Sequence, residues 1–167
     1  HLDAVEDAFD YYTSEVGKEK SYRYLVRLAR KYSEEGKFAL EIKTYSRLNN
    51  DFPYEPNAPG NQTAIMNAYA QLGKNEEVRK EVRRLIDLYS PNGVWAKKNS
   101  ANERVLTQAF DAVEEELSKL VTEQHRAAQQ TKLVETYMLA RDIYKEYLDK
   151  FTASENAYRF RFFYSEI

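Results

Sequence analysis

The chain has 167 residues, with 25 Lys plus Arg against 27 Asp plus Glu, two His and no Cys, for a formal charge of −2 at pH 7. At 43% hydrophobic and 31% charged it can bury a core, which argues against wholesale disorder, and its length fits one domain or one stretch of a longer array. The lack of cysteine excludes a disulfide framework, a thiolate zinc site and a thiol nucleophile. No apolar run approaches the roughly 20 residues that span a bilayer, and the balanced charge argues against a dedicated nucleic-acid binder.

The chain opens on His1 rather than Met. This reads as a processed or excised segment with His1 a tag remnant, so a missing leader carries no information. A leading helix is expected over 2–20. Gly17, Gly36, Gly73 and Gly93 then separate periodic segments, and Pro53, Pro56 and Pro59 bracket one loop with Gly60. Between the breaks, Leu25, Leu28, Ala29 and Tyr32 recur at i, i+3, i+4, i+7, and Ile42, Tyr45, Leu48 and Phe52 form a second stripe. Both are helical faces. No stretch alternates between turn dipeptides as strands would, so the expected class is all-α.

Shifting the chain by 37 residues aligns Leu28 with Ile65, Tyr32 with Tyr69, Gly36 with Gly73, Leu48 with Leu85 and Phe52 with Tyr89. Each unit reads as helix, short Gly turn, helix and a Pro-containing exit. One hairpin of this kind cannot bury both of its apolar faces; stacked neighbours close a continuous core.

These residues resemble the tetratricopeptide repeat (TPR) family, whose pattern runs W-x2-L-G-x2-Y, then A-x3-F, then P over about 34 residues. In a first repeat, 22–55, Leu25 stands for the Trp, Leu28 for the Leu, Ala29 for the Gly and Tyr32 for the Tyr, with Tyr45 and Pro53 at the later positions. Glu41 occupies the small-Ala position, where close helix approach is normal, so looser or shifted packing is expected there. A second repeat, 59–92, carries Ile65, Met66, Tyr69, Gly73, Val78, Val82, Leu85 and Ser90 at the corresponding places. The three extra residues fall in Pro56-Asn57-Ala58. A third second-helix is carried by Ala140, Tyr144, Tyr147 and Phe151. The resemblance implies a right-handed solenoid of degenerate repeats, with about seven or eight helices and a concave groove lined by first helices. The order of loops and helices is also similar to envelope-associated TPR proteins of gliding and related Gram-negative bacteria, which implies a periplasmic or outer-membrane-linked assembly.

Residues 99–152 contain no Gly or Pro. Their apolar positions run Leu106, Phe110, Val113, Leu117, Leu120, Ala127 and Ala128, then resume at Val134, Tyr137, Ala140 and Tyr144. A long helical hairpin broken at Gln129-Gln130-Thr131-Lys132 is expected, with one continuous helix as the alternative. Ser90-Pro91-Asn92-Gly93-Val94-Trp95 reads as a loop, with Trp95 plugging the junction between the first repeats and the long pair. The aromatic run Ala157 to Tyr164 reads as the first helix of a further repeat, 154–167, cut before its partner. It is a candidate surface for self-association; a membrane-surface anchor is the alternative, since Arg159 and Arg161 interleave with its aromatics.

Chemistry-bearing constellations are sparse. His125, beside Glu123 and Gln124, lacks a converging ligand set. Glu114-Glu115-Glu116 diverge around a helix, whereas acid/base pairs must face each other across a cleft. No phosphate-cradling Gly motif occurs. No catalytic residue, metal or cofactor is therefore expected. The basic clusters Arg23, Arg27, Arg30 and Lys31, and Arg79, Lys80, Arg83 and Arg84, lie near Glu34, Glu35, Glu76, Glu77 and Glu81, which points to i,i+4 pairing. An RNA-binding helical repeat is the rival reading of these clusters, and a structural spacer in a longer solenoid is another. Tyr11, Tyr12, Tyr22 and Tyr24 cannot share one apolar face, so part of the Tyr content, 14 residues in all, serves either recognition or inter-repeat packing. The leading expectation is a non-catalytic scaffold that holds a partner protein or peptide. Its groove residues would be Arg23, Val26 and Arg30 in the first repeat and Thr63 and Asn67 in the second, with Arg30 and Asn67 equivalent under the 37-residue shift.

Overall fold

A computed structural model describes residues 3–91, 93–151 and 156–167. His1, Leu2, Asn92 and Thr152 to Glu155, on which the expected tag remnant, part of the expected 90–95 loop and the start of the expected 154–167 helix fall, lie outside the described residues. The described residues are all-α, with no strand among them. They form α1 (Asp3–Val16), α2 (Lys18–Glu34), α3 (Phe38–Asp51), α4 (Ala58–Gln71), α5 (Asn75–Tyr89), α6 (Val94–Lys98), α7 (Glu103–Thr131), α8 (Val134–Lys150) and α9 (Asn156–Ser165). The chain divides into two compact units, 1–74 and 75–167. The boundary falls inside the expected 59–92 repeat, whose first helix belongs to the N-terminal unit and whose second belongs to the C-terminal unit.

In the N-terminal unit α1 packs on α2, α2 on α3 and α3 on α4. The helical stripes read from sequence supply the core. Leu25, Ala29, Tyr45 and Leu48 are buried with Val5, Phe9 and Ile65, while Leu28, Tyr32, Ile42, Phe52 and Tyr69 close around them. Arg47 of α3 reaches back to α1, pairing with Glu6 and lying over the Phe9 ring at 5.1 Å. A buried amide network then fastens α4. Asn61 Nδ2 donates to Asn49 Oδ1 at 3.0 Å, and Asn49 Nδ2 donates to the Ala58 carbonyl at 3.3 Å. Asn61 Nδ2 also approaches the Tyr22 hydroxyl at 3.4 Å. Buried polar groups that satisfy one another fix a single register.

The turns after α2 and α4 are the same motif, 37 residues apart. The Lys37 amide donates to the Tyr32 carbonyl at 2.8 Å and the Lys74 amide to the Tyr69 carbonyl at 3.0 Å, across Gly36 at φ 67° and Gly73 at φ 66°. This is the left-handed glycine stop that satisfies the last helical carbonyls. A Cβ at either glycine would meet nothing within 4 Å, so a substitution is penalised by backbone strain alone. Gly36→Ala and Gly73→Ala should each cost about 1–2 kcal/mol in urea denaturation. A negligible cost at either position would break the equivalence of the two turns.

The C-terminal unit is built on the α7–α8 hairpin, with α5 and α9 packed on α8. The polar patch at 129–132 does end α7: Lys132 takes a left-handed conformation at φ 56° and its amide donates to the Ala128 carbonyl at 2.7 Å. The expected core residues Ala140, Tyr144, Tyr147 and Phe151 are buried. The segment read as a loop, Ser90 to Trp95, differs, because Val94 and Trp95 open the short helix α6. Trp95 is buried edge-to-face on Tyr89 of α5 and Phe110 of α7, at 5.9 and 6.3 Å between ring centroids. The aromatic run in α9 is half covered. Phe160 is fully buried on Tyr147 and Tyr144, at 4.6 and 5.4 Å, whereas Tyr158 and Phe162 face outward.

Candidate functional site

Arg23, Val26, Arg30, Thr63 and Asn67 all lie in the N-terminal unit, and the structure gathers only some of them. Arg30 turns onto α3, where its guanidinium is hydrogen-bonded to the hydroxyl of the buried Tyr45. Asn67 lines a pocket of about 380 Å³ with Ser33 of α2, Phe38 and Glu41 of α3, and Ala64, Ala68 and Gln71 of α4. Glu41 and Tyr45 are one turn apart on α3, so Arg30 and Asn67 flank neighbouring turns of a single stripe. Val26, one turn before Arg30, packs half-buried against the core. Thr63 is buried and its hydroxyl donates to the Gly60 carbonyl at 2.9 Å, so its side chain is engaged within α4. Arg23 stands apart, lining a second pocket of about 510 Å³ with Val16, Glu19, Lys20, Tyr24 and Arg27.

Glu41, the residue that departs from the TPR pattern at the small-Ala position, lines the Asn67 pocket, yet it is only 4% exposed and its Oε2 has no hydrogen-bond partner. Burial raises its carboxyl above the ordinary carboxylate range, opposed only by a hydrogen bond from the Ser33 hydroxyl. Among the described residues no Lys, Arg or His forms an ion pair with it. The available signal was a carboxylate at a position that the next repeat fills with Val78, which is fully buried.

The basic clusters part company. In α5, Arg79 pairs with Glu76 and approaches Asp142 of α8 at 3.3 Å, while Arg83 donates to Glu146 of α8 at 2.9 Å. That cluster is partly spent on holding helices together. In α2 the only carboxylate pairing is Lys31 with Glu35, at 3.9 Å, among the described residues. The Arg23 pocket adjoins surface aromatics, since Tyr24 stacks on Tyr12 at 5.3 Å and Tyr12 meets Tyr11 edge-on at 5.4 Å.

The remaining chemical candidates have structural partners. His125 is buried with Nδ1 3.1 Å from the Tyr144 hydroxyl and Nε2 3.2 Å from Gln129 Nε2. Burial pushes the Tyr144 phenol up to about 12. Glu114 accepts from the Tyr147 hydroxyl at 2.8 Å and from Asn156 at 2.9 Å, and Glu115 and Glu116 pair with Lys119. Among the described residues no group of three His, Asp or Glu side chains is placed to hold a metal ion, and no helix is long and apolar enough to cross a membrane. Compared with protein-family models, curated proteins and solved structures, the chain finds no match in any of the three.

Proposed function

We propose that the chain is a non-catalytic TPR-like scaffold that captures a protein or peptide along the α2–α4 face of its N-terminal unit. Arg30 and Ser33 from one side, Asn67 and Gln71 from the other, would grip the bound segment over the Glu41–Tyr45 stripe. The observation that carries this reading is the pocket at that stripe, which collects polar side chains from three successive helices around an unpaired carboxylate. The two matching glycine turns support the repeat architecture, a right-handed solenoid of degenerate repeats. On its resemblance to envelope-associated TPR proteins, the assembly would belong to a bacterial envelope. Under this reading His125 and the acidic run of α7 are structural, because each already has partners within its own unit. A spacer segment with no ligand of its own would leave the Glu41 pocket without a role.

A second reading, RNA binding, draws on Lys20, Arg23 and Arg27 beside Tyr24, since single strands are held by basic grooves with aromatic platforms. Paired variants separate the two. The chain, immobilised, is challenged with envelope and soluble fractions of the source cells and with single-stranded RNA. Arg30→Ala/Asn67→Ala should reduce retention of a protein partner by about tenfold or more, corresponding to about 1.4 kcal/mol. Its thermal midpoint is measured alongside, because Arg30 also bonds Tyr45. Arg23→Ala/Arg27→Ala should leave that retention intact. If only the second variant loses binding, and the bound species is RNA released steeply by salt, the scaffold reading fails.

A further inference from the structure

We propose that the pocket over the first half of α2 is a binding site for an aromatic phosphate monoester, with its phosphate held by Lys20, Arg23 and Arg27 and its ring laid on Tyr24. Val16 at the end of α1 and Glu19, Lys20, Arg23, Tyr24 and Arg27 of α2 line this space of about 510 Å³, a size typical of small-molecule sites. Residues 20, 23, 24 and 27 share one side of the helix, turned away from the buried Ser21, Leu25 and Ala29. Among the described residues none of the three cations makes an ion pair. In α5, by contrast, Arg79 and Arg83 are spent on Asp142 and Glu146 of α8. Like charges three and four residues apart destabilise the helix that carries them. Glu19 offsets one of the three cations, so the lining keeps two positive charges with no partner in the chain.

The charges and the ring select the ligand together. A phosphate monoester is close to a dianion at pH 7 and brings three acceptor oxygens, which matches the charge of the lining. A lone carboxylate brings one charge and fills a single guanidinium fork. The Tyr24 ring is held in place, stacked on Tyr12 at 5.3 Å with 10° between the planes, and Tyr12 meets Tyr11 edge-on at 5.4 Å. Yet Tyr24 remains 43% exposed, a fixed platform for a planar ring beside the cations. A strand of RNA fits less well. From Lys20 to Arg27 the helix rises only about 10 Å, whereas single strands are tracked over about four nucleotides or more. The site therefore takes one phosphate and one ring, and it does not rest on the scaffold reading of the α2–α4 face. A nucleoside 5′-phosphate and an aryl phosphate carried on a protein share this chemistry.

The test is an amide-resolved NMR titration of the whole chain with adenosine 5′-monophosphate, at ionic strength held constant with NaCl. Saturable shifts are expected at Lys20, Tyr24 and Arg27, with upfield ring-current shifts of the adenine protons. Ribose 5-phosphate, which lacks the ring, should bind about tenfold more weakly, the weight of one stacked base. Adenosine, which lacks the phosphate, should give no saturable shift. Arg23→Gln/Arg27→Gln should weaken binding of the nucleotide by about tenfold or more. Its thermal midpoint should not fall, because the variant also removes like-charge repulsion. Tyr24→Leu should bring the nucleotide down to the affinity of ribose 5-phosphate and leave ribose 5-phosphate itself unchanged. No saturable shift in the wild type, equal affinity for the nucleotide and ribose 5-phosphate, or unchanged affinity in the arginine variant overturns the proposal. Tighter binding of an oligouridylate, lost steeply with salt, overturns it in favour of RNA, and tighter binding of an oligo-aspartate peptide overturns it in favour of an acidic segment. With the ring requirement met, the nucleotide binding more tightly than phenyl phosphate upholds the site as one for nucleotides, and the reverse order upholds it as one for an aryl phosphate on a protein.

Discussion

Trp95→Ala should lower the stability of the C-terminal unit by about 3–5 kcal/mol, the cost of emptying a large aromatic site in a close-packed core. Trp95 is 2% exposed and wedged edge-on between Tyr89 and Phe110. It thereby ties the end of α5 to the first half of α7, where α7 has few other buried residues. The surrounding helices cannot collapse onto the gap without moving α6, which carries Trp95 on a single turn. Trp95→Phe keeps an aromatic ring in the site and should cost distinctly less. Because Trp95 is the chain's only tryptophan, its fluorescence reports this unit in the wild type, and far-UV circular dichroism in denaturant compares the variants. A loss below about 1 kcal/mol for Trp95→Ala, the size of an ordinary surface change, would contradict the core assignment.

Glu41→Gln should stabilise the N-terminal unit at neutral pH by on the order of 1–2 kcal/mol, the scale of a buried polar group left without a partner. The sign follows from the direction of the shift. Burial raises the folded-state value of Glu41, so the native chain keeps this proton to higher pH than the unfolded chain does. Wild-type stability is therefore penalised as pH rises from the unfolded value, about 4.3, through the folded one. The Gln variant has no proton to lose at this site. The two stability curves should converge below about pH 4 and separate above it, with the variant on top. A variant less stable than wild type at pH 7, or a difference independent of pH, would mean that the carboxylate is compensated within the chain.

The same residue marks the limit of what the sequence makes legible. Helical periodicity marked Leu25, Ala29, Tyr45 and Leu48, and likewise Ala140, Tyr144 and Tyr147, as core-facing, because a 3.6-residue stripe is a local property. The glycine turns at 36 and 73 were equally visible, since a left-handed stop favours Gly. Asn49 and Asn61 were not visible. Asn49 sits in the polar run Asn49-Asn50-Asp51, and only the approach of α4 makes it a buried partner. Glu41 stood out as a departure from the repeat pattern, but its burial depends on Ser33 and on α4, which no local pattern encodes. The groove residues were chosen by repeat equivalence, which assigns a helix face but not a rotamer. That is why Arg30 was legible as a groove residue and not as a hydrogen-bond partner of Tyr45, and why Thr63 turned out to be bonded within its own helix. The division at Lys74 was hidden as well, because α4 and α5 are both periodic and joined by the same glycine turn that joins α2 and α3.

Whether the α2–α4 face of the N-terminal unit holds a bound chain is decided by amide hydrogen exchange on the partner-loaded protein. Exchange should slow in the second half of α2, at the start of α3 around Phe38 and Glu41, and in α4 around Asn67 and Gln71. Helices α7 and α8 should exchange at their unbound rates. Protection confined to α1 and the Arg23–Arg27 stretch, or to the C-terminal unit, would contradict it.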